Sequence, residues 1–216
     1  LGLQWDPAND DFLFNINFKK QKDDITKRQA LSDVARIFDP LGWLSPVTIL
    51  AKLFIQKLWL LQSTWDEVLP KELKDEWDEF TKHLIEIQKI RIPRWIKSQN
   101  DTELEIHGFA DASEKAYAAV VYIKTNTSVV LLTAKSKVNP IKNKKTLPKL
   151  ELCAAHLLAR LLYKITAIFN RQHKIYAWSD STITLAWIRN NKNKDKFIRN
   201  RVNEINTPLP VAILHQ

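Results

Sequence analysis

Residues 104–123 read LEIHGFADASEKAYAAVVYI: two apolar runs rich in β-branched and aromatic residues, separated by the polar break around Asp111-Ala112-Ser113-Glu114. That pattern predicts two strands and a turn. With the next run they give three sequential strands, 103–110, 115–123 and 128–136, joined by short polar connections as an antiparallel meander. Pro148 is tolerated in a first helical turn and opens a long helix to about residue 165. A fourth strand follows at 174–179, two helices at 181–189 and 196–205, and a fifth strand at 210–214. The step from the third strand through a long helix to the fourth is a crossover, which implies parallel pairing within the sheet. The predicted fold class is therefore α/β, a mixed sheet with helices packed on it.

Upstream of this region the rhythm is different. Residues 1–5 and 12–18 flank the turn-rich DPANDD and predict a β-hairpin. From Thr26 the pattern is helical, with Leu31, Val34, Ala35 and Phe38 on one face and Asp39-Pro40-Leu41-Gly42 as the stop. A second helix follows Ser45-Pro46. A third, 71–90, carries the one-sided stripe Leu73, Trp77, Phe80, Leu84 and Ile87. Ile92-Pro93-Arg94-Trp95 reads as a break, and a domain boundary is placed after it. The segments are then 1–20, 21–97 and 103–216.

Composition bounds the function. The 216 residues are 45% hydrophobic and 10% aromatic, enough for a real core. The net charge of +9 favours an acidic partner such as nucleic acid. The basic residues cluster. One run holds Lys135, Lys137, Lys142, Lys144, Lys145 and Lys149 with no acid among them. A second holds Arg189, Lys192, Lys194, Lys196, Arg199 and Arg201 against Asp195. Each run reads either as a solvated face or as a track for a phosphate backbone. Cys153 is the single cysteine, so an intrachain disulfide and a cysteine-rich zinc site are both excluded. No uncharged apolar run reaches membrane length, and no membrane partner is expected. The chain has no methionine and opens on a strand-like run, so it is expected to be an interior piece of a longer polypeptide.

Three carboxylates need a reason. Asp111 ends the first strand of the meander, where an Asx-type turn would also use it. Glu151 shares a helix face with Ala154, Ala155, Leu158 and Leu162, the face that must meet the sheet. An acid there is costly unless it is paired or bound to a metal. Its other reading is a solvated acid in a favourable first turn. Asp180 ends the fourth strand in YAWSDSTITLAWI and could simply cap the helix that follows. If the three converge, a like-charged pair at about 4 Å repels by roughly 4 kcal/mol at an effective dielectric near 20. A divalent cation removes that cost. Oxygen ligands without Cys or His select magnesium or manganese, and two such ions can act on a phosphodiester.

The successive motifs GFADAS, LPKLELCAAHLLARL and YAWSDSTITLAWI resemble those of a ribonuclease H domain, in the version found in Bel/Pao-type long-terminal-repeat retrotransposons. LGLQWDP resembles the end of a reverse-transcriptase palm. KRQALSDVARIFDPLGWLSPVTILAKLFIQKLW resembles the segment that follows it in Pao polyproteins, where thumb and connection lie, and FIRNRVNEI resembles the helix after the third motif. The resemblance spans nearly the whole chain. It implies a ribonuclease H-like sheet at 103–216, preceded by a helical thumb- or connection-like segment at 21–97 and the palm's last hairpin at 1–20.

The resemblance also implies a site. Asp111, Glu151 and Asp180 carry over as catalytic, metal-binding acids for two Mg²⁺ ions, with Mn²⁺ able to substitute. The implied reaction is cleavage of the RNA strand of an RNA–DNA hybrid. Ser113 and Ser181, with Lys142, Lys144 and Lys145, are expected to contact substrate. The partners are the hybrid and the rest of the Pol polyprotein, its palm and fingers. The setting is intracellular: cytoplasm, virus-like particle or nucleus. The family's fourth acid lies beyond the fifth strand, and the sequence ends at His215-Gln216 before that position, so a C-terminally truncated site is expected. Asp195 and Glu204 sit in the wrong element to replace it.

Two alternatives stay open: a non-catalytic hybrid-binding tether, and the "peptidase" label attached to this region in Pao elements. Aspartic-protease chemistry needs Asp-Thr-Gly or Asp-Ser-Gly. None of Gly2, Gly42 and Gly108 follows such a pair. An integrase-like core is disfavoured because the acids run Asp, Glu, Asp.

Overall fold

The computed structural model describes residues 2–16, 24–96, 104–169, 173–190, 195–207 and 213–215. The chain forms two compact units, Leu1–Pro40 with Pro46–Ile96, and Leu41–Ser45 with Lys97–Gln216.

In the first unit, β1 (Gly2–Asp6) and β2 (Asp11–Asn15) form the antiparallel hairpin that DPANDD predicts. Residue 18, its expected end, lies outside the described residues. Asp10 closes the turn at φ 56°, and its carboxylate takes two bonds from the Arg94 guanidinium, at 2.6 and 2.9 Å. That anchor explains a correction. Residues 92–95 do not merely break a helix: β3 (Arg91–Pro93) pairs antiparallel with β2 as a third strand. Three helices follow the hairpin in the chain: α1 (Lys27–Ala35), α2 (Ser45–Leu60) and α3 (Lys71–Leu84). The expected helix 71–90 tightens after Leu84 into a 3₁₀ turn, Ile85–Lys89. Its stripe does face inward, with Trp77, Leu84 and Ile87 buried and Trp77 5.1 Å from the Phe54 ring of α2. The face assigned to α1 needs revision. Leu31 and Phe38 are exposed, whereas Lys27, Ala30 and Asp33 are buried.

The second unit is the mixed sheet. β4 (Glu105–Ala112), β5 (Ala116–Lys124) and β6 (Val129–Val138) form the meander. α4 (Leu147–Ile168) crosses over to β7 (Lys174–Trp178), which pairs parallel with β4. α5 (Thr182–Arg189) and α6 (Lys196–Asn206) precede β8 (Ile213–His215), which is parallel to β7. The strand order is β6-β5-β4-β7-β8. The fold class expected from the sequence is the one found.

The core lies between α4 and the centre of the sheet. Ile106 and Ala110 of β4 and Ala119 and Val121 of β5 pack with Ala154, Ala155, Leu158 and Leu162. Gly108 sits under Leu158: a Cβ there would lie 2.4 Å from Leu158 Cδ1. The glycine lets the helix approach β4, and this fixes the height of Glu151 above the sheet. On the opposite pleat of β4 and β7, His107 stacks on Tyr176 and Phe109 on Trp178.

Candidate functional site

β4 and β7 run side by side and parallel, and their last registered pair is Phe109 with Trp178. Asp111 and Asp180 each lie two residues past that pair. Both are exposed. Asp111 lies inside β4 rather than at its end, since the strand runs on to Ala112. It is paired across to Ala118 and shares the pleat of His107 and Phe109. Its Oδ1 accepts from the Ala112 N–H at 2.6 Å. The turn after it is closed by Ser113 instead. Ser113 N–H donates to Ala116 O at 2.7 Å, and Ser113 Oγ accepts from Ala116 N–H at 3.3 Å.

Glu151 reaches the same end of the sheet from α4. Leu150, Leu152, Ala154 and Ala155 around it are buried, while Glu151 itself is half-buried. Its Oε2 accepts from Ser181 Oγ at 2.5 Å. Ser181 is 7% exposed and caps α5, its Oγ accepting the Thr184 N–H at 3.1 Å. The cap is thus Ser181 and not Asp180, which frees the Asp180 carboxylate from that duty. The structure therefore brings Glu151 to Ser181, next in the chain to Asp180. Among the described residues, no group of three or more His, Cys, Asp or Glu side chains is placed closely enough to hold a metal ion.

The basic residues divide. Lys142 and Lys144 are exposed on the β6–α4 connection. Lys145 is held by its backbone: its N–H donates to Asn139 Oδ1 at 3.0 Å, and its carbonyl accepts from Asn139 Nδ2 at 3.1 Å. The same Nδ2 reaches Glu114 O at 3.0 Å. Asn139, 5% exposed, thus ties the lysine connection to the β4–β5 turn beside Asp111. Phe197 of α6 is ringed by cations, with Lys145 Nζ 5.8 Å, Lys149 Nζ 5.7 Å and Arg201 Cζ 5.2 Å from its centroid. Lys149 also pairs with Asp195 at 2.8 Å. The Lys149 ammonium and the backbone N–H of Phe197 hold the Asp195 carboxyl below its usual range, as befits the N-cap of α6. Lys192 and Lys194 lie outside the described residues. Sequence reasoning missed Asn139 and Phe197. Asn139-Pro140 signals a turn, but nothing in the chain tells which backbone groups that amide will clamp.

Other reactive side chains are spoken for. Burial pushes the Cys153 thiol up, away from the thiolate a nucleophile needs. Burial also lowers His156, although Glu204 lies 2.7 Å away and favours its charged form. Trp178 Nε1 donates to His107 Nδ1 at 3.3 Å, which leaves His107 Nε2 to donate to Glu105 at 3.1 Å.

A family model described as the Pao retrotransposon-like RNaseH-like domain matches residues 26–181. The chain belongs to this family. The span that this Pao retrotransposon-like RNaseH-like domain matches contains Asp111, Glu151 and Asp180 and ends at Ser181. No curated protein matches. Among solved structures, the fold is shared with the foamy viral protease-reverse transcriptase dRH in complex with double-stranded DNA. That likeness has TM-score 0.52 and 12% identity, over 91% of this chain and 32% of that one. The foamy viral protease-reverse transcriptase with an RNA/DNA hybrid aligns at TM-score 0.49 and 13% identity, over 90% and 25% of the two chains. RNase H1 from the archaeon Halobacterium salinarum NRC-1 aligns at TM-score 0.36 and 14% identity, over 51% and 80%. The chain thus spans about a third or less of the two foamy viral chains. The described five-stranded sheet agrees with the RNaseH-like description of that family, and no described helix is long and apolar enough to cross a membrane.

Proposed function

We propose that the chain is the hybrid-cleaving nuclease part of a Pao-type Pol polyprotein, with Asp111, Glu151 and Asp180 as its catalytic acids. The observation that carries this reading is the Ser181–Glu151 hydrogen bond, which draws the acid of the crossover helix to the strand end that bears Asp180. The donor set fits a hard divalent cation, since all three groups are carboxylates. These residues would hold magnesium or manganese, and such ions supply an activated water and neutralise charge at a scissile phosphate.

The chain's own residues do the rest. Ser181 orients Glu151 and fixes the start of α5. Asn139 positions the lysine connection, and Lys142, Lys144 and Lys145 offer cations to the phosphate backbone. The rest of the Pol polyprotein would present the hybrid. Residues 1–20 would close the palm, and 21–97 would form the thumb or connection. An intracellular setting follows from that role.

The test is incubation of the chain with labelled RNA in a hybrid, alone, or replaced by DNA. The expected result is cutting of the RNA strand in the hybrid only, and only with Mg²⁺ or Mn²⁺ present. One observation favours a second reading, a tether that grips the hybrid without cutting it: the described carboxylates do not form a three-membered cluster. Tight hybrid binding with no cleavage under any divalent ion would establish the tether.

Both readings share a further expectation. Changing Lys142, Lys144 and Lys145 together to alanine weakens hybrid binding and shallows its dependence on salt. For B-DNA-like duplexes, the slope of log affinity against log salt falls by about 0.9 for each phosphate no longer neutralised. A titration at several salt concentrations reads this directly, and an unchanged slope would mark the connection as plain solvated surface.

A further inference from the structure

The Ser181 hydroxyl faces more acceptors than its proton can serve. Its Oγ lies 2.5 Å from Glu151 Oε2 and 3.0 Å from Thr184 Oγ1, and in both contacts it is placed as the donor. A hydroxyl has a single proton and two lone pairs, so only one of these bonds is made at a time. One lone pair is already committed, because Oγ accepts the Thr184 N–H at 3.1 Å as the cap of α5. The Ser181 N–H is held in turn by Ser179 Oγ at 3.3 Å. The serine is thus fixed at its backbone and at its oxygen, and what remains free to turn about the Cβ–Oγ bond is the proton.

Burial makes that choice matter. Thr184 is 0% exposed, and Ser179 and Ser181 are 7% exposed each. A buried hydroxyl proton left without an acceptor is penalised by enough to shift an equilibrium roughly tenfold. While Glu151 is bare, its carboxylate wins the proton, since a hydrogen bond to an ionised acceptor is about twice as strong as a neutral one. A cation that shares the carboxylate's charge takes that advantage away. Thr184 Oγ1 then becomes the better acceptor for the same proton.

We propose that Thr184 is a positioning residue for Glu151: its hydroxyl oxygen receives the Ser181 proton when Glu151 holds a divalent cation, and so frees the acid without undoing the start of α5. This rests on the nuclease reading, in which Glu151 is one of the acids that hold magnesium or manganese. The proton stays on Ser181 throughout and changes only its acceptor. The cap of α5 survives in both arrangements because it uses a lone pair of Ser181 Oγ and not the proton. A serine that faced the carboxylate alone would lack this outlet. Each cation bound would then either compete with the serine for the carboxylate or strand a buried proton. In the sequence, Thr184 reads as one more β-branched residue on the buried side of α5, and the role belongs to its hydroxyl.

The experiment titrates Mn²⁺ into the whole chain without nucleic acid and reads occupancy from the paramagnetic broadening of the Glu151 and Ser181 amide signals. Thr184→Val keeps the branched shape and deletes the acceptor. Its Mn²⁺ midpoint is expected to rise about tenfold, the penalty for one stranded buried proton, while the chain melts like the parent in the absence of metal. Thr184→Ser should restore the parent midpoint. In a Ser181→Ala chain there is no proton to place, so adding Thr184→Val should make no further difference, whereas a packing role would act in either background. An unshifted midpoint for Thr184→Val would overturn the proposal. So would a Thr184→Ser midpoint as high as that of valine, an undiminished loss in the Ser181→Ala background, or no Mn²⁺ bound near Glu151 in the parent. Hybrid cleavage measured in parallel keeps the two readings apart. The expected midpoints without cleavage would defeat the nuclease and leave the role of Thr184 standing; cleavage with unshifted midpoints would defeat that role alone.

Discussion

Asp111→Asn is expected to lower hybrid cleavage about a thousandfold while leaving the fold in place. The substitution keeps the size of the side chain and its Oδ1, so the 2.6 Å bond from the Ala112 N–H survives. The residue is exposed, and no other described interaction depends on its charge, so the stability change belongs with ordinary surface substitutions, within about 0.5 kcal/mol. What disappears is the negative oxygen. If Asp111 helps hold a cation, several kcal/mol of transition-state stabilisation go with it, and each 1.4 kcal/mol or so is a factor of ten in rate. Affinity for the hybrid should stay level or tighten, because a negative charge near the phosphates has been removed. Asp180→Asn should behave alike. Glu151→Gln differs in one respect: its amide oxygen can still accept from Ser181, so α5 keeps its start while the charge is lost. Single-turnover cleavage in saturating Mn²⁺, beside a thermal melt and a binding curve, separates these terms. Undiminished cleavage by Asp111→Asn would end the assignment of that residue, and with it the three-acid site.

The elements that carry those acids were legible because each has a strong local signal. Alternation marks β4 to β6, Pro148 opens α4, and the apolar face of α4 shows which way Glu151 must lie. How the acids lie relative to one another was not legible. Glu151 is drawn to Ser181, beside Asp180 in the chain, and that serine outcompetes its neighbouring aspartate for the cap, while among the described residues no three acids are placed closely enough to hold a metal ion. In the first unit, β3 was missed because three residues ending in proline carry no periodicity; pairing with β2 and the Asp10–Arg94 ion pair make the strand. The face of α1 was misread for a related reason. Apolar spacing pointed to Leu31 and Phe38, but the buried side includes Lys27, satisfied by two carbonyls, and Asp33, held by Gln29 at 2.9 Å and by Arg36 at 3.8 Å. Buried polar groups of this kind leave no pattern in the chain, because apolar periodicity does not register them.

Gly42→Ala is expected to destabilise the second unit by more than about 2 kcal/mol, and the reason lies in FDPLG, a motif that looked at first like a helix stop. The segment Leu41–Ser45 belongs to the second unit and runs along β6, the edge strand of the sheet. Leu41 O accepts from the Ala134 N–H at 2.9 Å and from Thr133 Oγ1 at 2.6 Å, and Trp43 Nε1 donates to Leu132 O at 3.1 Å. Edge strands with open backbone groups invite unwanted pairing, and this strap covers some of them. Gly42 makes the approach possible. It sits at φ 76°, and a Cβ there would lie 1.7 Å from the Ala134 carbonyl oxygen and 2.5 Å from its carbon. The obstacle is backbone, so it cannot swing aside as a side-chain tip could. The left-handed conformation alone costs a non-glycine residue about 1–2 kcal/mol, and the overlap must be relieved by lifting the strap off β6. For a unit of roughly a hundred residues, each kcal/mol lowers the melting temperature by about 4–8 °C. A fall of roughly 8 °C or more is therefore expected, together with faster amide exchange at Ala134, whose N–H loses its acceptor. Leu41→Ala serves as the control, since it keeps the backbone carbonyl and should leave Ala134 protected. A Gly42→Ala chain that melts like the parent, with Ala134 still protected, would mean that the strap does not hold the edge of the sheet.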